Sequence, residues 1–220
     1  MALASSLLRA ANRVAVWQNP DNSSHNHCLP RIDGFESGMA PNARIIKIDL
    51  QVNDMDRNYY QAHALTLAQH PSETDLRAMV RLLAFALYAD PRLEFGKGLS
   101  TEDEPDLWQK DMTGRIERWI EVGQPDEARL RKASGRAEQV VVLNYSGRSA
   151  DLWWEKNAAA LERIRNLTVL DLPSETGEAI AADVQRNMQV QCLIQDGHAQ
   201  WLDGERTIDI AVVRRMSPQS

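Results

Sequence analysis

Three carboxylates at the open end of a short hairpin are of the right type to hold a metal ion. They are Glu104 and Asp106 in "EDEPDLWQK" and Glu121 in "RIERWIEVGQ". Both stretches read as strands, and Thr113-Gly114 between them reads as a two-residue turn. In that register Met112 faces Arg115, Lys110 faces Glu117, Trp108 faces Trp119, Leu107 faces Ile120 and Asp106 faces Glu121. Opposite charges and paired aromatics each favour this alignment by up to about 1 kcal/mol. A four-residue loop would instead set Lys110 against Arg115 and Glu104 opposite Glu121. Side chains alternate along a strand, so Glu104 and Asp106 share a face in either register. Glu121 is therefore expected to have an acidic neighbour roughly 5 Å away.

Two carboxylates that close repel, and one takes a proton unless a cation sits between them. A divalent ion with oxygen ligands resolves the conflict, and Mg²⁺ favours one or two carboxylates plus waters and a phosphate. Such an ion activates a bound water and stabilises charge on a phosphodiester. The plain alternative is an acidic rim at the end of a hairpin, solvated and inert.

The elements around the hairpin set what can reach it. "RIIKIDLQV" alternates as a strand, "DMDR" is a turn, and "YYQAHALTLAQH" is the returning strand. "PSETDLRAMVRLLAFALYADP" is the strongest helix pattern, with Ser72 as its cap, Asp75 completing a capping box and Pro91 closing it. Met79, Val80, Leu83 and Leu87 form one apolar face, widened by Leu76, Leu82 and Phe85, which predicts deep burial. "RLEFGKGL" leads into the hairpin, and the helix "PDEARLRKASGR" follows it, ended by Gly135. "QVVVLNY" and "LTVLDLP" are apolar on both faces and read as central strands, with a helix after each. The C-terminal stretch reads as strands joined by Asp-Gly turns. The sum is an α/β fold, a mixed sheet with helices packed on it, in which the β-helix-β unit from Arg115 to Pro173 is right-handed.

Composition bounds the rest. A chain of 220 residues, 43% hydrophobic and 25% charged, suits one globular domain with a substantial core. The segment before Met39 differs: it lacks acids until Asp21 and then becomes rich in Asn, Ser, Pro and Gly. It reads as an extension, disordered or arising from a start upstream of Met39, ahead of a single domain over residues 39–220; a transit peptide is the alternative. No apolar run is long enough to span a bilayer. Two cysteines, Cys28 and Cys192, form no framework, so the cytoplasm is the expected location. "HNHC" (His25, His27, Cys28) is a lone cluster with no second half. A net charge of −6 excludes a protein coated in positive charge, though not a local basic groove. His63, His70 and His198 stand alone, no Gly-rich phosphate loop is present, and the tryptophans read as packing residues.

"HPSETDLRAMVRLLAFAL", "GLSTEDEPDLWQK", "WIEVGQPDEARLRKASGR" and "CLIQDG" closely resemble the YaeQ family, a likeness that runs from Met39 to the C-terminal strands. That family resembles in turn the PD-(D/E)XK nuclease superfamily, which implies a restriction-endonuclease-like core with added hairpins. By this resemblance Pro105-Asp106 matches the leading Pro-Asp and Glu121 the second acid. Glu73 matches a glutamate that supports the metal from a helix; read alone it is a favourable charge in a helix's first turn. The lysine expected two residues after Glu121 is replaced by Gly123.

A cation from the next helix could take that lysine's place. Arg129, Lys132 and Arg136 fall on one face at helical spacing, while Leu130 and Ala133 are oriented toward the sheet. Lys132 is the expected substitute, with Lys97 as the alternative, and Gln124 is placed to bond the attacking water or a phosphate. Lys97, Arg115, Arg118, Arg129 and Arg136 could together contact a nucleic-acid backbone.

Two functions follow. One is a Mg²⁺- or Mn²⁺-dependent nuclease in which Asp106, Glu121, Glu104 and Glu73 hold the ion and Lys132 steadies the developing charge. The other is a non-catalytic protein of the same fold that binds nucleic acid or a transcription-related partner. No membrane role and no organic cofactor are expected.

Overall fold

In the computed structural model the described residues are 43–97 and 103–219. Residues 1–38, with the His25-His27-Cys28 cluster, and Met39, the expected start, lie outside them. The described residues build two sheets, where the sequence suggested one. The first has five strands in the order β10 (Arg206–Ile210), β9 (His198–Asp203), β8 (Asn187–Gln195), β1 (Arg44–Asp54) and β2 (Tyr59–Gln69). The second has six: β11 (Val213–Met216), β7 (Leu167–Asp171), β6 (Ala137–Asn144), β5 (Ile116–Val122), β4 (Leu107–Lys110) and β3 (Leu93–Phe95). β5, β6 and β7 run parallel, linked through α2 (Glu127–Ser134) and α3 (Arg148–Leu161).

Two sheets need something apolar between them, and α1 (Asp75–Leu87) supplies it. Every residue from Ala78 to Ala86 is buried, including Arg81, so the helix is enclosed all round rather than along one stripe. Its neighbours in one continuous core are Ile46, Ile48, Leu50 and Val52 of the first sheet and Leu107, Ile120, Val141 and Leu143 of the second. α4 (Ser174–Ala181) joins this layer through Ile180. A second core lies on the other face of the six-stranded sheet. There Trp119, Val140 and Val142 meet Leu130 and Ala133 of α2 and Leu161 of α3. Consecutive residues of β5 and β6 thus feed opposite cores, as strand alternation requires. Among the described residues, no helix is long and apolar enough to cross a membrane.

The cap of α1 corrects the sequence reading. Thr74, not Ser72, is the N-cap, its side chain accepting from Arg77 N at 3.2 Å. Glu73 therefore stands before the cap rather than in the first turn.

The hairpin also differs from its predicted turn. Its loop has three residues, Met112 to Gly114, with Gly114 at φ +86. Asp111 anchors it, its Oδ1 accepting from Thr113 N and Arg115 N at 2.8 and 2.9 Å. The shorter pairing puts Lys110 opposite Ile116, and a bulge at Glu117 then restores the expected alignment. Trp108 faces Trp119 and Leu107 faces Ile120, as read from sequence. Lys110 and Glu117 do not meet: Lys110 sits over the Trp108 ring at 3.2 Å, and Glu117 pairs with Arg92 at 2.8 Å.

Candidate functional site

The buried acids meet arginines from two different helices. Asp106, just before β4, is 4% exposed. Its Oδ1 accepts from Arg77 Nη2 at 2.6 Å, and its Oδ2 accepts from Val122 N at 2.7 Å. Arg77 Nη1 in turn donates to Glu73 Oε1 at 2.7 Å. Arg81, one helical turn on, donates to Glu73 Oε2 at 3.0 Å, and its Nε lies 3.7 Å from Asp106 Oδ1. Two carboxylates and two guanidinium groups thus form one neutral, buried cluster between α1 and the second sheet.

Glu121 is neutralised from the opposite helix layer. It is as buried as Asp106, and its Oε1 accepts from Trp119 Nε1 at 2.7 Å and from Arg129 Nε at 2.8 Å. Burial pushes its carboxyl pKa up, Arg129 pulls it down, and the charge on Asp106 pushes it up again. The two acids sense each other, yet each bonds a different arginine. Asp106 turns to α1 and Glu121 to α2, whose cores lie on opposite faces of the six-stranded sheet.

The remaining site residues expected from sequence are distributed around this pair. Glu104 holds Lys97 Nζ at 3.1 Å, and its backbone carbonyl accepts from Arg129 Nη2 at 2.7 Å. Lys132 pairs with the exposed Asp103, so Arg129 rather than Lys132 is the helix cation bonded to Glu121. Arg136 also turns toward Asp103, donating to its backbone carbonyl at 3.1 Å, and stacks over Trp119 at 5.1 Å. The reason is geometric: Arg129 lies one helical turn nearer the N-terminus of α2, which follows β5 after residues 123–126. Arg118 is held by Gln109 at 3.0 Å and stacks on Tyr88, while Arg115 pairs with Glu138 at 3.2 Å. Gln124 is exposed. Asp106, Glu121, Glu104 and Glu73 do not converge as a set of four, and among the described residues no group of three or more His, Cys, Asp or Glu could hold a metal.

Gly123 occupies the position of the expected lysine with φ +100, a backbone conformation that L side chains rarely adopt. Its N–H donates to Leu143 O at 2.9 Å, holding the turn against β6. A Cβ there would meet only Tyr145 Cε1 at 3.7 Å, so backbone conformation, not space, selects glycine. Tyr145 stands beside Gly123, and its hydroxyl pKa is raised by burial, with Arg77 acting against and Asp106 and Glu73 with it. Sequence reasoning missed Arg77, Arg81 and Tyr145. The arginines carried a signal, since Glu73, Arg77 and Arg81 recur every fourth residue along one helix face. Tyr145 carried none.

Comparison with known proteins agrees with the resemblance read from sequence. Residues 39–212 match the family model of the YaeQ protein. The YaeQ protein of Escherichia coli K12 is 39% identical over 180 residues, covering 82% of this chain and 99% of that one. Its Salmonella typhi counterpart is 41% identical over 181 residues, with the same coverage. The crystal structure of YaeQ from Xanthomonas axonopodis pv. citri superimposes with a TM-score of 0.77 at 52% identity, covering 80% of this chain and 99% of that one. That of the Pseudomonas syringae protein gives the same TM-score at 34% identity, covering 81% and 98%.

Proposed function

The chain belongs to the YaeQ family, and on that premise we propose that it is a non-catalytic protein of nuclease-like ancestry that binds nucleic acid through its phosphates. One observation carries this reading: Asp106, Glu73 and Glu121 are all neutralised by the protein's own arginines. Arginine does not deprotonate in proteins. A divalent ion at Asp106 and Glu121 would have to displace Arg77 and Arg129 from the carboxylate oxygens they already occupy, and breaking a buried ion pair is costly. Gly123 offers no amine for chemistry.

The cations nearer the surface behave differently. Lys97, Arg115, Arg131 and Lys132 are all more than half exposed at their side chains and paired with acids there. Such pairs contribute about 1 kcal/mol or less, so a phosphate can replace the carboxylate. The test is fluorescence anisotropy with labelled DNA and RNA over a salt series. Binding whose logarithm falls linearly with log salt is expected, weakened in the Lys132→Glu/Arg136→Glu double variant. Absence of binding to either nucleic acid at low salt sinks the proposal.

A second reading, a Mg²⁺- or Mn²⁺-dependent phosphodiesterase, is favoured by one observation. The Glu121 carboxyl pKa is raised by burial first and by the charge on Asp106 as well, the second being an electrostatic condition that a bound cation relieves. Here Arg129, not Lys132, would face the phosphate. Titration calorimetry with Mg²⁺ and a cleavage assay separate the two. The binding reading expects no heat and no cleavage, whereas cleavage lost in Glu121→Ala would transfer the assignment to the enzyme.

A further inference from the structure

Among the described residues four strands end the two sheets, and three of them carry the features that prevent strand pairing between molecules. β3 has three residues, one of them Glu94. β11 has four, with Arg214 and Arg215 among them and an irregularity in its pairing with β7. β10 has five, including Arg206 and Asp209. Short length, charge and bulges are how proteins keep an open strand edge from recruiting another chain.

β2 has none of these. It runs for eleven residues, "YYQAHALTLAQ", without a Lys, Arg, Asp, Glu, Pro or Gly. Its register with β1 is unbroken from Tyr59 opposite Asp54 to Gln69 opposite Arg44. Among the described residues no strand lies on its other side. Burial lowers the pKa of His63, the one imidazole in the strand, which disfavours its charged form. Ala62, Ala64, Thr66 and Ala68 are exposed and share one face, so no bulk stands in the way of a neighbour. Half of the strand's N–H and C=O groups point away from β1 by antiparallel geometry.

We propose that this edge is an interface with a second copy of the same chain, β2 pairing antiparallel with β2 of the partner about a two-fold axis at Ala64. The strand is complementary to itself in that register. On the open face Ala64 meets Ala64, Ala62 meets Thr66, and Tyr60, 55% exposed, lies over Ala68. On the other face His63 meets Leu65, Gln61 meets Leu67 and Tyr59 meets Gln69. No like charges meet anywhere along it, and the repeated residue on the axis is the small one a two-fold needs. Main-chain hydrogen bonds provide the affinity in strand addition. Strand pairing alone is a small interface, under about 1,200 Å² in total, so the dimer is weak and exchanges readily. The interface lies on the first sheet and is independent of the charged site on the second.

The experiment is sedimentation equilibrium on the full chain, with Ala64→Lys, Ala64→Glu and their equal mixture beside wild type. Ala64 is exposed, so neither substitution disturbs a core, and circular dichroism checks that. Wild type is expected to dimerise with rising concentration and each variant alone to remain monomeric. The mixture regains the dimer because lysine then faces glutamate across the axis. A wild type that stays monomeric at the highest soluble concentration overturns the proposal and leaves the edge for a different partner. Dimers unaffected by either variant overturn it too. As a second readout on wild type alone, amide exchange in β2 should slow as concentration rises; exchange independent of concentration is also fatal.

Discussion

Asp106 is held by contacts that a change of charge would disturb in a predictable way. With Asn in its place an acceptor for Val122 N survives, but Arg77 and Arg81 keep only Glu73 as counter-charge. Asp106→Asn should therefore destabilise by about 3–5 kcal/mol, the cost of leaving a buried charge uncompensated, read as a lower urea midpoint at unchanged slope. Gly123→Lys tests the other half of the site. Its φ of +100 implies a cost of about 1–3 kcal/mol for any side chain, and on the binding reading the variant gains no cleavage with Mg²⁺. Glu121 adds a pH signature. A carboxyl whose pKa is raised on folding stabilises most below its unfolded value, and that contribution is lost as pH rises through the folded one. The melting-temperature advantage of wild type over Glu121→Gln should accordingly shrink as pH climbs out of the acid range, since only wild type carries that component.

At the scale of elements, the parts legible in the sequence were those governed by periodicity. The strands at Arg44–Asp54, Ala137–Asn144 and Leu167–Asp171 and the helix packed all round by apolar residues follow from patterns of two and of 3.6. The hairpin shows where such reading stops. Aromatic and aliphatic pairs fixed its outer register, but a Gly114 bulge turn and an extra residue at Glu117 compensate each other. Pairing arguments are blind to two errors that cancel. The site was legible as residue types, since Asp106, Glu121, Glu73 and Arg129 do carry its charge. Its partnerships were not, because which helix face meets which side of a sheet is a tertiary fact. Arg129 and Lys132 are neighbours on one face, and helical spacing alone cannot decide which of them reaches Glu121.

At the scale of the molecule, α1 joins the two sheets through one shared core, and this predicts how the protein comes apart. Leu83 is fully buried in that core between strands of both sheets. Leu83→Ala should lower stability by about 2–5 kcal/mol, a cavity being left where neighbours cannot close in. If the sheets were separate folding units, the loss would fall on one of them. With α1 as their common layer it should fall on both, so amide exchange in β8 and in β6 should accelerate together and by the same factor. Equal acceleration ties the charged site on the second sheet to the open edge on the first as parts of one cooperative unit. Faster exchange in β8 with β6 unchanged would mean that each sheet keeps its own stability.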